Sequence, residues 1–253
     1  MNGSSSNLDQ TILIDAVKAN NSDLVCKLIA QGMDVNIKQS DGGTPLMFAA
    51  GLGNIECAKE LLAHGADVNV KYGNGMTPLM YASMRNHPQI VLMICENNVD
   101  INAKDSDGWS ALNKAAGKGY IDCVKILLEK GADANTKDND GQSALMSAAQ
   151  EGHHSILKLL IEKGANLDSK DRHNATALMY SAESGHVNCA NELILNGADI
   201  NIKSNPGWTA LIIAQKMGKT EIVKLLTNPP KRKKVNKIEV TNNSSKPWWK
   251  FWN

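Results

Sequence analysis

The sequence predicts an all-α solenoid of seven helix–turn–helix units, each 33 residues long. One phrase returns along the chain, as in "GADVNVKYGNGMTPLMYAS" (65–83) and "GADANTKDNDGQSALMSAA" (131–149). Each unit also joins a segment of small residues to one of larger aliphatic residues, which is typical of two packed helices. The phrase begins every 33 residues without an insertion, at Gly32, Gly65, Asn98, Gly131, Gly164 and Gly197. Together the seven units cover about residues 6–228.

Within a unit, the first helix is predicted to begin after a Thr or Ser, because the hydroxyl oxygen of these residues caps free N–H groups. Pro45 and Pro78 follow at the first helical position, where a missing N–H costs nothing. The second helix is predicted to end at the recurring glycine, and a projecting turn of the "DxxG" type joins successive units. The predicted caps are Thr11, Thr44, Thr77, Ser110, Ser143, Thr176 and Thr209.

The stretch "TPLMFAAGLGNIECAKELLAHGADVN" (44–69) resembles the ankyrin repeat. The resemblance covers nearly nine-tenths of the chain, and it implies a β-turn plus an antiparallel helix pair in every unit. It also implies that the projecting turns and first helices form a concave face that binds protein partners. The chain departs from the family where a His usually follows the Leu of the first helix. The residues found there are Met47, Met80, Asn113, Met146, Met179 and Ile212.

The chain divides into a solenoid at 1–228, with capping units at about 6–38 and 204–228, and a tail at 229–253. The net charge of +1 conceals a difference between these parts. The tail holds seven Lys or Arg and one Glu, whereas acidic residues outnumber basic ones in the solenoid. Such asymmetry indicates that the tail has a separate role.

No secretory signal and no apolar run long enough to span a bilayer can be read, so we expect a cytoplasmic protein with reduced cysteines. Cys57, Cys123 and Cys189 share one repeat position and are expected in the core, whereas Cys26 aligns with outer-face lysines. His87, His153 and His186 fall at a turn position and are expected to be structural. We expect no catalytic residue, no metal and no cofactor.

Residues that the repeat does not use for its core are candidates for partner binding. Trp109, Trp208 and Met76 follow the turn glycine, while Tyr81 and Tyr180 lie on the first helices. Tryptophan is a frequent interface anchor, although both tryptophans could instead pack on a neighbouring turn. The mixed charges of this face disfavour nucleic acid and favour a protein partner. The charged candidates are Arg85, Lys118, Asp107, Asp140, Arg172 and His173.

The tail carries an aromatic cluster made of Trp248, Trp249, Phe251 and Trp252. Three alternatives remain open: the cluster packs on the last unit, docks into a partner, or lies at a membrane surface, where Trp and Lys are favoured. Such composition otherwise favours disorder.

The sequence therefore predicts a monomeric, non-catalytic adaptor whose concave face holds a protein partner and whose tail makes a second contact. One alternative is a membrane-peripheral tether that uses the tail. Another is an effector that acts on host proteins.

Overall fold

A computed structural model of the protein describes residues 6–231. This part of the chain forms fourteen α-helices in seven consecutive pairs, which confirms the predicted solenoid, and the tail lies beyond the described residues. Two isolated β-bridges join Tyr72 to Met76 and Lys137 to Ser143. The helices are α1 (Ser6–Lys18), α2 (Ser22–Ala30), α3 (Pro45–Leu52), α4 (Ile55–Ala63), α5 (Pro78–Met84), α6 (Pro88–Cys95), α7 (Ala111–Lys118), α8 (Ile121–Glu129), α9 (Ala144–Glu151), α10 (His154–Glu162), α11 (Ala177–Ser184), α12 (Val187–Leu195), α13 (Ala210–Lys216) and α14 (Thr220–Thr227).

The helices stack in two layers. The odd-numbered helices, called inner helices below, pack on one another in chain order, and the even-numbered outer helices do the same. Each inner helix also packs on the outer helix of its own unit. Every unit therefore contacts mainly its neighbours, as in other solenoids.

The core lies between the two layers and follows the repeat. The inner helices contribute small residues such as Ala49, Ala82 and Ala115, which are fully buried and let neighbouring helices approach closely. Cys57 and Cys123 are also fully buried, as predicted. The leucines of the first helices are buried in units 1 to 6, and only Leu211 of the last unit is partly exposed.

Hydroxyl side chains cap most inner helices in the predicted way. Thr44 Oγ1 accepts the N–H of Met47, and Ser110, Ser143 and their counterparts do the same in other units. Thr176 is an exception, because its side chain makes no cap hydrogen bond. The prediction for Thr11 was wrong, since α1 already begins at Ser6 and Thr11 lies inside it.

Inner helices end in a left-handed residue that the next unit covers. Gly53 has φ +79°, and a Cβ placed on it would lie 2.5 Å from the His87 ring. The rings of His153 and His186 cover Gly119 and Gly152 in the same way. These three histidines therefore pack units together, as predicted.

Asparagine takes the same left-handed position in two units, which the sequence reading missed. Asn20 has φ 53° and Asn86 has φ 62°. In each case the amide oxygen lies 3.8 Å from a buried cysteine of the next unit, Cys57 or Cys123. The thiol is a weak donor, so the contact is a modest addition to packing.

A ladder of asparagines links successive loops. Asn36 Nδ2 donates to Gly65 O (3.2 Å), and Asn36 Oδ1 accepts from Asp67 N (2.7 Å). Asn69 repeats this pair of bonds one unit later, with Asn98 O and Asp100 N. Because each amide joins two backbones, the ladder holds consecutive units in a fixed register.

Candidate partner-binding face

The projecting turns between units share one backbone geometry. Each is a five-residue loop, called a finger below, in which the first residue donates its N–H to the carbonyl of the fifth. The finger and the exposed side of the inner helices together form the finger face. The fingers are 39–43, 72–76, 105–109, 138–142, 171–175 and 204–208.

In units 4 to 6 a buried carboxylate closes the finger. Asp105 Oδ1 accepts the N–H groups of Asp107 (3.1 Å) and Trp109 (2.8 Å). Asp138 and Asp171 bind the corresponding N–H groups of their own fingers at 2.7–2.9 Å. Burial raises the pKa of Asp138, although the backbone N–H groups that it accepts favour its charged form.

The second carboxylate oxygen contacts the inner helix nine residues later. Lys114 Nζ lies 2.7 Å from Asp105 Oδ2 in a buried ion pair, although the contact lacks hydrogen-bond geometry. In unit 6 the hydroxyl of Tyr180 donates to Asp171 Oδ2 (2.7 Å) and accepts from Gln142 Nε2 (3.0 Å). The first finger residue and the helix residue thus act as a pair.

In unit 3 both positions of this pair hold a tyrosine, Tyr72 in the finger and Tyr81 in the inner helix. Without a carboxylate, the finger is closed by backbone bonds alone, from Tyr72 N to Met76 O (2.9 Å) and from Met76 N to Tyr72 O (3.0 Å). The two rings lie 6.5 Å apart at 45°. No described residue hydrogen-bonds to the Tyr81 hydroxyl, and burial raises the pKa of this phenol.

The Tyr72 hydroxyl donates instead to the preceding finger, at Asp41 Oδ2 (3.0 Å). The other Asp41 oxygen accepts the N–H of Gly43 (3.0 Å). These two bonds hold the pKa of Asp41 below its usual range, and the bond from the Gly43 N–H has the larger effect. Asp41 therefore stays ionised at neutral pH beside the rings.

Between units 2 and 3 these rings line an open cavity of about 220 Å³, the aromatic pocket. Gly43 leaves room for the Phe48 ring, because a Cβ on it would meet that ring in a tight contact at 3.0 Å. Leu52 is 53% exposed, so an apolar side chain is also available next to the rings. The pocket is lined by Gly43, Met47, Phe48, Gly51, Leu52, Tyr72, Tyr81 and Arg85.

Comparison with known proteins agrees with this architecture. Models of ankyrin repeats match residues 13–105, 69–138, 97–171 and 168–239. The chain belongs to the ankyrin-repeat family. A crystal structure of EF0377, described as an ankyrin repeat protein, is 31% identical to this chain, with a TM-score of 0.69. The match covers 72% of this chain and 96% of that one. A search of curated proteins gave no match.

Ankyrin repeats are in general protein–protein interaction modules, and proteins built from them are typically adaptors without catalytic activity. The His that this family usually carries in its inner helix is replaced here, and the structure shows the consequence. Asn113 Nδ2 lies 3.5 Å from Thr136 O, so unit 4 retains a long contact between its inner helix and the loop that follows its outer helix. The buried Met47, Met80 and Met146 have no such donor and contribute only packing.

The finger residues proposed for binding differ in their exposure. Trp208 is 37% exposed, with Lys216 Nζ 4.6 Å from the centre of its ring, and Trp109 is partly buried. Met76 is only 5% exposed and packs in the core, so it offers little surface for the contact predicted for it. An unbranched Met side chain can turn inward at this position.

The charged candidates lie at the surface. Arg85 and Lys118 are exposed at the C-terminal ends of α5 and α7. At the finger tips Asp107, Asp140, Arg172 and His173 are exposed, and Arg172 Nη1 binds Asp140 Oδ1 at 2.7 Å. Two adjacent tips are thus joined. The tail residues Trp248, Trp249, Phe251 and Trp252 lie outside the described residues.

A second cavity lies on the opposite side, between the outer helices. It has a volume of about 380 Å³ and is called the outer groove. It is therefore larger than the aromatic pocket, and Asp122 is its one carboxylate. Its lining includes Ile55, His87, Pro88, Leu92, Asp122 and Ile126.

The cysteines offer no activated nucleophile in residues 6–231. Burial raises the pKa of Cys95 and Cys123 to about 12 and that of Cys189 to about 11. Cys26 is exposed, as predicted, and Cys95 is only partly buried. Within the same range no group of three or more His, Cys, Asp or Glu side chains is arranged to hold a metal ion. None of the described helices is long and apolar enough to cross a membrane.

Proposed function

We propose that this protein is a non-catalytic adaptor that holds a protein partner on its finger face. The observation that supports this most is the aromatic surface between units 2 and 3. There Phe48, Tyr72 and Tyr81 line an open cavity at the surface. Aromatic side chains next to exposed charges are the usual composition of an interface anchor.

Trp109 and Trp208 would extend this contact toward the later units. The exposed finger tips, with Asp107, Asp140 and Arg172, would then form its polar rim. Charges at such a rim affect partner choice and association rate more than affinity. Lys118 and His173 belong to the same rim, and Tyr180 forms part of the face at unit 6.

Affinity capture from the source organism, followed by a binding titration with the captured protein, tests this proposal. Trp109→Ala with Trp208→Ala is expected to weaken binding several-fold or more, because truncated interface anchors typically cost about 2 kcal/mol or more. The melting temperature should change little. The matched control is Ile55→Ala, which removes an exposed residue of the outer helices and should leave binding unchanged.

Loss of binding in the Ile55→Ala control alone would place the partner on the outer helices and overturn the proposal. A large fall in melting temperature with unchanged binding would show that the two tryptophans serve the fold.

The basic, aromatic tail is proposed to make a second contact with the same partner. A chain that ends at residue 231 should then bind the partner more weakly at unchanged stability. The membrane-tether alternative predicts instead that only the full chain sediments with anionic liposomes, and that added salt releases it, because the attraction between charges is screened.

A further inference from the structure

The solenoid places one of its own amines over an aromatic ring near its N-terminal end. Lys18 Nζ of unit 1 lies 4.2 Å from the centre of the Phe48 ring of unit 2. This is a cation–π contact, in which an ammonium group is attracted to the electron-rich face of the ring. Because the chain is a repeat, the same geometry can be followed one unit further.

One unit later Gly51 replaces Lys18, and Tyr81 replaces Phe48. A Cβ placed on Gly51 would lie 3.7 Å from Tyr81 Cδ1, so a side chain at this position would start beside that ring. Gly51 has none, and the aromatic pocket opens where the lysine side chain would lie.

The other described units do not repeat this arrangement. In units 5 and 6 the two equivalent positions hold Gln150 and Tyr180, so the Tyr180 ring has a side chain beside it. Gly117 also leaves its position empty, but Ser147 takes the place of the ring, with its Cβ 3.6 Å from the added Cβ. Among residues 6–231, only Gly51 and Tyr81 combine a missing side chain with an aromatic ring.

One carboxylate, that of Asp41, lies near the pocket and favours a cation at that end. Asp41 is held beside Tyr72 by a hydrogen bond of 3.0 Å, so a negative charge lies next to the rings. The exposed Leu52 side chain offers an apolar contact for the methylene groups of a long side chain. Arg85 lies at the pocket, and the ammonium group of Lys18 is close enough to act on Asp41, so both oppose a further cation there.

We propose that the aromatic pocket accepts a lysine side chain of the protein partner, with its ammonium group against the Tyr81 ring and near Asp41. The inference rests on the proposed function, because it names the chemistry of the anchor that the finger face would bind. The partner's lysine would take the place in unit 3 that Lys18 has in unit 2.

A titration followed by NMR tests this directly, with Nα-acetyl-lysine amide as the probe. Nα-acetyl-norleucine amide is the matched control ligand, since it has the same four side-chain carbons and lacks the ammonium group. The lysine amide should shift the amide signals of Gly43, Gly51 and Tyr81. The norleucine amide should bind roughly two- to fivefold more weakly, as expected from one exposed cation–π contact.

Two glycine variants make the test specific. Gly51→Lys should abolish the shifts, because its own side chain would fill the pocket as Lys18 covers Phe48. The matched control Gly117→Lys, at the same repeat position, should leave binding unchanged. Both glycines lie inside helices, where lysine is a better helix former than glycine.

Two surface variants keep the test decisive if Gly51→Lys does not fold. Asp41→Asn should weaken lysine amide binding, and Arg85→Gln should strengthen it. Equal binding of the two amides would make the pocket a site for apolar side chains and overturn the proposal. Absence of shifts at the pocket, or an equal loss in Gly117→Lys, would also overturn it. The titration uses no protein partner, so such a failure would overturn only the lysine proposal. The adaptor proposal is tested separately, by the capture experiment.

Discussion

Tyr81 and Tyr180 occupy the same repeat position three units apart, yet they make different contacts. Tyr180 is fixed by Asp171 and Gln142 through two hydrogen bonds, and it joins its finger to its inner helix. Tyr81 faces Tyr72 in place of a carboxylate, and its ring lines an open cavity. The first residue of the finger therefore decides whether the helix residue supports the fold or forms part of a surface.

The largest effect on stability is expected from the carboxylates that close the fingers. Asp105→Ala removes the acceptor of two backbone N–H groups and leaves the largely buried Lys114 without its partner. Breaking such a pair costs about 3 kcal/mol or more, so urea unfolding should show a loss of this size. Asp107→Ala, in the same finger but exposed, should change the free energy of unfolding by no more than about 0.5 kcal/mol.

The double variant Asp105→Ala with Lys114→Met should recover part of the lost stability, because no buried charge then remains unpaired. Similar losses for Asp105→Ala and Asp107→Ala would mean that the finger carboxylate does not stabilise unit 4.

A smaller difference in the free energy of unfolding is expected between variants of the two tyrosines. Tyr180→Phe should lower the free energy of unfolding by about 1–2 kcal/mol, since Asp171 and Gln142 lose a partly buried hydrogen-bond partner. Tyr81→Phe should cost less than about 0.5 kcal/mol, because its hydroxyl has no hydrogen-bond partner among residues 6–231. Denaturant curves of both variants measured under one condition check this, and equal losses would contradict the comparison.

The stability that Tyr180 contributes should fall at high pH. Burial, with the bond to Asp171, raises the pKa of this phenol above its ordinary value of about 10. The unfolded chain therefore releases the proton first as the pH rises. The stability that Tyr180 contributes is present below about pH 10 and is lost above it, and this part of the loss should be absent in Tyr180→Phe.

Much of the scaffold could be predicted from the sequence, because seven units share one sequence pattern and therefore one local structure. The period, the proline positions and the buried cysteines follow from it. Asn20 and Asn86 were missed, since asparagine adopts left-handed geometry only in some contexts. The start of α1 was also missed, because the helix continues on the N-terminal side of Thr11, where the repeat predicts a cap.

The site was harder to predict, because it depends on contacts between units. Met76 was assigned to the surface from its position after a turn glycine, but its flexible side chain enters the core. The aromatic pocket requires Tyr72, Tyr81 and Gly51 together, and no single repeat contains its whole lining. The sequence signals for it are Tyr72, which stands where units 4, 5 and 6 have Asp, and Gly51, which stands where unit 1 has Lys18.

A hydrogen-exchange footprint of the captured partner tests the central claim most directly. The amides of residues 39–52 and 72–85, which surround the aromatic pocket, should exchange more slowly in the complex. Residues 86–95 and 121–129, which contribute most of the lining of the outer groove, should keep their exchange rates. Protection confined to these outer segments would contradict the account and place the partner on the opposite side of the solenoid.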